Sequence, residues 1–423
     1  MLYERWLAVA RARRNDFALR DACTGREWSF GELLAEAESQ PDPGPGVHQA
    51  EGFGARFILQ VLRAWKFQRP LAPVEPGQRL QLPSMETPAW CAHLKATSGT
   101  TGRPRFVALT AEQLAADADN IVATMGLVLA APNLAAISLA HSYGFSNLIT
   151  PLLLHGIPLI LAASPLPENI RAEAQRFDRV TLPAVPALWQ VWADARAIPG
   201  NVHAAISAGA PLSLALEERV WNGFGLKLHN FYGSSECGGI AYDSSNTPRT
   251  DAQIIGAPLK GVQVSSTDEG LLEVRSAAVA EAYWPEPASE LSRGVFRTAD
   301  LGVAAADGIR LRGRASDLIN VAGRKVSPEQ VEEAILRTGQ VQACLVFGAP
   351  ARDGSEQIVA AITANPGMEI AELRRRLSLL IPNWQIPARF WLVDSLTANN
   401  RGKLSRREWR SRFERADADA ATS

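Results

Sequence analysis

The densest run of chemistry-bearing residues is Thr97-Ser98-Gly99-Thr100-Thr101-Gly102-Arg103-Pro104-Arg105. Glycine lets backbone N–H groups turn toward an anion, and the hydroxyls add donors, so the run suits a polyphosphate. It is not a Walker A loop, because GxxxxGK[ST] is absent. Further runs carry single groups of interest: Glu236 in Phe231–Glu236 (FYGSSE), Asp300 in Phe296–Gly302 (FRTADLG), and Lys403 in Asn399–Arg407 (NNRGKLSRR). Taken alone, Glu236 reads as a surface carboxylate, Lys403 as a solvated lysine and His141 as a structural histidine.

Together the runs carry more. TSGTTGRPR, FYGSSE, FRTADLG, GRASDLINVAGRKVSPEQVE (Gly313–Glu332) and NNRGKLSRR follow one another along most of the chain. In content and order they resemble the adenylate-forming superfamily of acyl- and aryl-CoA synthetases, luciferases and peptide-synthetase adenylation domains. The opening DFALRD…REWSFGELLAEAE is similar to that family's start. The resemblance implies an α/β fold: a large multi-sheet N-terminal adenylation domain, residues 1–316, and a small mobile α+β C-terminal domain, residues 317–423. It implies ATP, Mg²⁺, a small carboxylic acid, and CoA or a phosphopantetheine acyl-carrier protein as acceptor.

The chemistry of acid activation accounts for the parts. A carboxylate is a poor electrophile. Its attack on the α-phosphate of ATP exchanges a hydroxide leaving group for AMP, and charge builds on phosphoryl oxygens as pyrophosphate departs. Catalysis is then mostly positioning and electrostatic stabilisation. By resemblance, Thr97, Ser98, Gly99, Thr100, Thr101, Gly102 and Arg105 grip the phosphates, and Glu236 is the Mg²⁺ carboxylate beside Ser235. Tyr232 stacks on adenine over the Gly209-Ala210-Pro211 loop. Asp300 accepts from the ribose hydroxyls, Arg314 reaches the ribose or phosphates, and Lys403 bridges the acid and the α-phosphate. Asp317 matches a hinge about which the small domain turns after adenylation, and Val321-Ala322-Gly323 a loop bordering the pantetheine tunnel. His141, in His141-Ser142-Tyr143-Gly144-Phe145, sits where relatives carry a gate to the acyl pocket.

Departures are present. Arg105 stands where Lys is usual, which keeps charge but not a point-like ammonium. Ala299 replaces a common Gly, Thr397 and Ala398 replace Pro and a basic residue, and the segment before Thr97 is short. The catalytic groups remain.

The elements that must position these groups follow from pattern. Leu134–Leu139, Ile157–Ala162, Val180–Leu182 and Ala204–Ser207 read as short buried strands of an α/β sheet. Thr110, with Gln113 three residues on, predicts a capped helix running through Met125. Beyond Gly313, Ser327-Pro328-Glu329-Gln330 predicts a second capped helix. Strands around Ala343–Phe347, Gln357–Thr363 and Arg389–Val393 and a helix over Ile370–Leu380 complete a small α+β module. The Ala/Asp-rich tail after Glu414 is expected to fray. Trp189 and Trp192 read as packing, and Arg374-Arg375-Arg376 as a solvated helix face.

Bulk properties agree. The 423 residues exceed one ordinary domain, and 43 basic against 44 acidic residues give no support for nucleic-acid binding. Cys23, Cys91, Cys237 and Cys344 lack CxxC spacing and read as reduced thiols, with no partner base for Cys237. The apolar stretch Leu152–Ala163 is too short and broken to span a bilayer, so no integral membrane contact and a soluble cytoplasmic protein are expected. A stand-alone amino-acid adenylation domain is a competing expectation, disfavoured because Ala140–Asn147 holds no acidic residue for an ammonium. A nucleotide-binding pseudoenzyme is another, disfavoured because Lys403, Glu236 and Asp300 are all present. The small residues Gly238, Gly239, Ile240 and Ala241 suit an aromatic ring or alkyl chain and offer a second polar group no fixed charge. The identity of the acid, the acceptor and the oligomeric state are left open.

Overall fold

The structure is a computed structural model that describes residues 1–97, 105–292, 294–305, 307–321, 324–351, 356–396 and 404–422. The chain divides into two compact units. The first comprises Met1–Ser266, Glu273–Thr298 and Ala304–Arg310, and the second Thr267–Leu272, Ala299–Val303 and Leu311–Ser423.

In the first unit the apolar runs form parallel strands. Val202–Ser207 pairs in parallel with Val180–Ala184 on one side and Leu228–Ser234 on the other. Every position of Val180–Ala184 is buried, as a strand covered on both faces requires. Trp189 and Trp192 pack edge to face, with ring centroids 5.2 Å apart, in the core beside this sheet. Their reading as packing residues holds. The sheet then turns antiparallel through Gly238–Tyr242. A second sheet runs in the order Ala282–Trp284, Arg105–Leu109, His93–Thr97, Leu71–Val74, His48–Glu51.

The helix Ala111–Met125 opens on the expected capping box. Thr110 Oγ1 accepts from the Gln113 amide, and Gln113 Oε1 accepts from the Thr110 amide at 2.9 Å. Gly126, at φ +62°, closes it in the left-handed conformation. The strand expected over Leu134–Leu139 is shorter, Asn133–Ala135. Past it the chain leaves the sheet, and Ser138 donates to Glu75 at 2.5 Å.

The second unit is an α+β module. Val341–Pro350, Glu356–Ala364 and Arg389–Leu392 form one sheet, Ile319–Val321 and Arg324–Val326 a hairpin, and Pro328–Arg337, Ile370–Leu377 and Arg406–Thr422 the helices. Three expectations are corrected. Ser327 precedes its helix but does not cap it, because its hydroxyl donates to the Glu329 carboxylate at 2.7 Å. The helix at Ile370 stops at Leu377 rather than Leu380. The tail is helical to Thr422 rather than frayed: alanine favours helix, and Arg389–Asp417 and Arg410–Glu414 pairs at 2.8 and 2.9 Å support it. Arg375 and Arg376 pair with Glu372 in their own helix, in keeping with a solvated face. Among the described residues, no helix is long and apolar enough to cross a membrane.

Candidate active site

Ser98, Gly99, Thr100, Thr101, Gly102, Gly323 and Lys403 lie outside the described residues. What surrounds the phosphate loop is described. Strands His93–Thr97 and Arg105–Leu109 pair antiparallel, with Thr97 opposite Arg105, and so flank positions 98–104. Arg105 lays its guanidinium 3.8 Å from the centroid of the Tyr283 ring and pairs with Glu290 at 3.3 Å. The Tyr283 hydroxyl donates to Glu236 Oε1 at 3.0 Å. Arg105 and Glu236, 131 positions apart in sequence, are thus joined through one tyrosine. Tyr283 carried no motif, and only its place on the strand beside Arg105–Leu109 brings it here.

The FYGSSE segment is held from both ends. Tyr232 sits half-buried on the strand Leu228–Ser234, opposite Ala241. Ser234 Oγ accepts from the backbone amides of Glu236 and Cys237 at 3.2 and 3.3 Å. Ser235 Oγ lies 2.9 Å from Ser142 Oγ, which ties this segment to the His141 segment. His141 precedes a single helical turn, Ser142–Gly144, that runs into a π-helical turn, Phe145–Ile149. Such turns recur at functional sites. The His141 imidazole lies 3.2 Å from Glu75 Oε1.

The loop Gly209-Ala210-Pro211 leaves the strand Val202–Ser207 with Gly209 at φ +84°, a conformation open to glycine. It is fixed from behind: Arg249 donates to Leu212 O at 2.7 Å and to Glu217 at 2.9 Å. In the second unit, Arg314 pairs with Asp300 at 2.8 Å, which brings together two residues expected at the ribose. Asp317 ends a 3₁₀ turn, Ala315–Asp317, and its carboxylate accepts from Arg406 at 3.2 Å.

Cys237 is fully buried, and burial pushes its thiol far above the usual range, which favours the protonated thiol over the thiolate. Lys95 was missed. It lies on the strand His93–Thr97, only 5% exposed, and among the described residues no protein acceptor reaches its ammonium. Burial lowers its pKa, against the opposing pull of Asp117, Cys237 and Glu236. Asp117, 2% exposed, accepts from the Gly239 amide at 2.9 Å and from Ser146 Oγ at 2.6 Å. The Asp117 carboxylate therefore stands against the small residues at 238–241, which themselves carry no charge. The signal was a lysine between Leu94 and Ala96 on a short strand.

One carboxylate fits Mg²⁺, which keeps waters and takes one or two carboxylates plus phosphate oxygens. Among the described residues there is no group of three or more His, Cys, Asp or Glu that could cage a metal ion. Glu236 thus fits an ion shared with a nucleotide rather than one enclosed by protein.

The model of the AMP-binding enzyme family matches residues 10–284, and that of the AMP-binding enzyme C-terminal domain matches residues 330–403. Anthranilate–CoA ligase of Pseudomonas aeruginosa is 28% identical, over 77% of this chain and 67% of the relative. A 4-hydroxybenzoate–CoA/benzoate–CoA ligase of Rhodopseudomonas palustris is 26% identical, over 74% of this chain and 63% of the relative. The chain thus spans about two thirds of the length of these relatives. Among solved structures, ATP-bound MatB of Rhodopseudomonas palustris superposes with a TM-score of 0.83 at 20% identity, covering 98% of this chain and 99% of the other. Amide bond synthetase McbA of Marinactinospora thermotolerans gives the same score and identity over 98% and 100%. With a family model covering residues 10–284, and with a large α/β unit and a smaller second unit, the chain belongs to the AMP-binding enzyme family of the adenylate-forming superfamily.

Proposed function

We propose that this chain is an AMP-forming acid–thiol ligase: it activates an aromatic or fatty acid as the acyl-adenylate and passes the acyl group to the thiol of CoA or a carrier protein. In the first step a carboxylate oxygen bonds to the α-phosphorus and the bond to pyrophosphate breaks. In the second the thiol sulfur bonds to the acyl carbon, AMP leaves, and the thiol proton passes to solvent. The observation that supports this best is the Arg105–Tyr283–Glu236 chain, which links the end of the phosphate loop to the carboxylate expected at the metal. Bound Mg²⁺ would neutralise charge developing on the phosphates, with Glu236 holding it. Tyr283 orients Glu236, Arg105 adds a fixed positive charge, and the Gly209-Ala210-Pro211 loop with Tyr232 receives the base. Asp300 and Arg314 take the ribose and phosphates, and Lys403 and His141 act on the acid. Residues 317–423 turn about Asp317 between the steps. Gly323 then borders the thiol arm.

The test is ATP–pyrophosphate exchange across benzoates, cinnamates and fatty acids, followed by CoA and carrier-protein acceptors. Exchange is expected only with acid present. Lys403→Ala is expected to abolish it while sparing thioester formation from supplied acyl-adenylate. Acid-independent ATP turnover, or equal loss in both half-reactions, would count against this reading.

A further inference from the structure

Glu75 has no role in the reaction as drawn above. It stands just past the strand Leu71–Val74, every residue of which is buried, so its backbone is set by the core of the first unit. One oxygen of its carboxylate, Oε1, meets two groups. Ser138 Oγ donates to it at 2.5 Å, and His141 Nε2 lies 3.2 Å away. A carboxylate only accepts, so the ring nitrogen is the donor. The backbone of this segment is clamped by packing. Gly52, whose amide donates to Val74 O at 2.8 Å, lies so close to Ala140 that a Cβ there would fall 2.5 Å from the Ala140 amide nitrogen. A Cβ at Gly144 would fall 1.9 Å from Ser138 O. Phe145 is fully buried and meets Phe57 edge to face at 6.3 Å. The imidazole is not clamped in this way. The His141 side chain is 45% exposed, so packing leaves the ring room to change rotamer.

We infer that Glu75 is a positioning residue: it sets the orientation of the His141 ring and, through that ring, the placement of the acid. The inference rests on the reading in which His141 acts on the acid, and adds to it a group that need touch neither acid nor nucleotide. The physical ground is rigidity. A functional side chain with room to turn is held in productive geometry by a second side chain whose own backbone is fixed. Glu75 meets that condition, because it leaves a fully buried strand. Its Oε1 also ties the ring to Ser138, three positions earlier, so ring and segment are registered on one atom. A ring released from that atom spends part of its time in rotamers that do not meet the acid, which weakens acid binding and leaves the nucleotide contacts as they are.

The experiment is a double-mutant cycle on the full chain: wild type, Glu75→Ala, His141→Ala and the pair. Each is assayed by ATP–pyrophosphate exchange, with KM measured separately for ATP and for the best acid of the panel. Glu75→Ala is expected to raise KM for the acid by about tenfold. Its KM for ATP should stay within about twofold of wild type. In the His141→Ala background the same substitution should add nothing further, because two residues acting through one contact are not additive. Glu75→Gln keeps an acceptor for the ring and should restore most of the wild-type KM. Ser138→Ala removes only the other donor and should leave the acid KM near wild type. The inference is overturned if Glu75→Ala has its full effect in the His141→Ala background, if KM rises alike for acid and ATP, or if Ser138→Ala is as impaired as Glu75→Ala. If no acid supports exchange, the ligase reading fails by itself, and the cycle is read from melting temperatures without substrate. A Glu75→Ala shift that shrinks in the His141→Ala background then supports the hold of Glu75 on the ring, and an equal shift overturns it.

Discussion

Two cations, a buried one in the first unit and a half-buried one in the second, are treated in opposite ways. Lys95 in the first unit has no acceptor among the described residues. Arg406 in the second is saturated: it donates to Val346 O and to both oxygens of Glu332 at 2.9 Å, and it pairs with Glu329 at 3.0 Å and Asp317 at 3.2 Å. A planar guanidinium fans several donors in fixed directions and can tie several chain segments into one knot, whereas a lysine presents one point charge on a flexible stem. Arg406 accordingly joins the expected hinge, the helix Pro328–Arg337, the strand Val341–Pro350 and the start of the last helix. The difference teaches how to sort buried charge. A saturated group ties chain segments together, whereas an unsaturated one ties none.

The largest effect is expected at the knot. Arg406→Met leaves the half-buried Glu332 without its cation and should destabilise the second unit by about 3 kcal/mol, the low end for a buried pair. Calorimetry reads this as an early transition of that unit, and a variant melting with the wild type would break the comparison. The sign with pH is fixed. Burial pushes Glu332 up to about 7 from 4.5, even with Arg406 drawing it down. Its proton uptake therefore stabilises the fold fully below 4.5, and that support is lost as pH rises through about 7. Without Arg406 the value climbs further, so the deficit should be greatest above pH 7 and shrink toward pH 5.

Next in size is the hinge. Proline fixes φ near −65° and restricts the preceding residue, so Asp317→Pro should favour one conformer. Exchange is expected to survive while thioester formation falls by at least about a hundredfold, roughly 2.7 kcal/mol. Equal loss of both steps with unchanged melting would remove the hinge from Asp317. Asp317→Ala is a less silent control than the motif alone suggests, because Arg406 donates to the Asp317 carboxylate. It should lower stability by about 1 kcal/mol while leaving the two steps in their wild-type ratio.

What was legible in the sequence was local. The Thr110–Gln113 capping box spans three residues and needs nothing distant, and the buried parallel strands announce themselves by apolar runs. The order of the motifs carried the family. What was not legible depends on chain segments meeting. Tyr283 joins Arg105 to Glu236 only because Ala282–Trp284 pairs with the strand Arg105–Leu109. Arg406 finds Asp317 across 89 residues. Ser327 had the right type and spacing for a cap, but a carboxylate two residues on took its hydroxyl. The Lys95 charge was visible, while its burial was not, since nothing near it in sequence says that the ammonium lies away from water.

The smallest effect tests whether Lys95 is exceptional within its own unit. Lys227 is a buried lysine of that unit, 7% exposed against 5% for Lys95, and it is fully partnered. It donates to Asp243 at 2.7 Å, to Leu228 O at 2.9 Å and to Glu217 at 3.3 Å. Burial alone would raise the Asp243 carboxyl, but the Lys227 and Ser245 donors outweigh it and hold the group below its ordinary 3.8. A carboxyl depressed in the folded chain contributes stability that is present above 3.8 and lost as pH falls through its folded value. Asp243→Asn keeps the shape and loses the charge, so it should cost about 1–2 kcal/mol near neutrality. Denaturant unfolding from pH 7 down to pH 3 should show that difference holding steady and then narrowing below 3.8. Lys95→Met should show no such deficit at any pH, because no described acceptor is lost with the ammonium. If both substitutions destabilise the first unit alike, Lys95 is a structural cation like Lys227, and the contrast between the saturated and the unsaturated charge collapses.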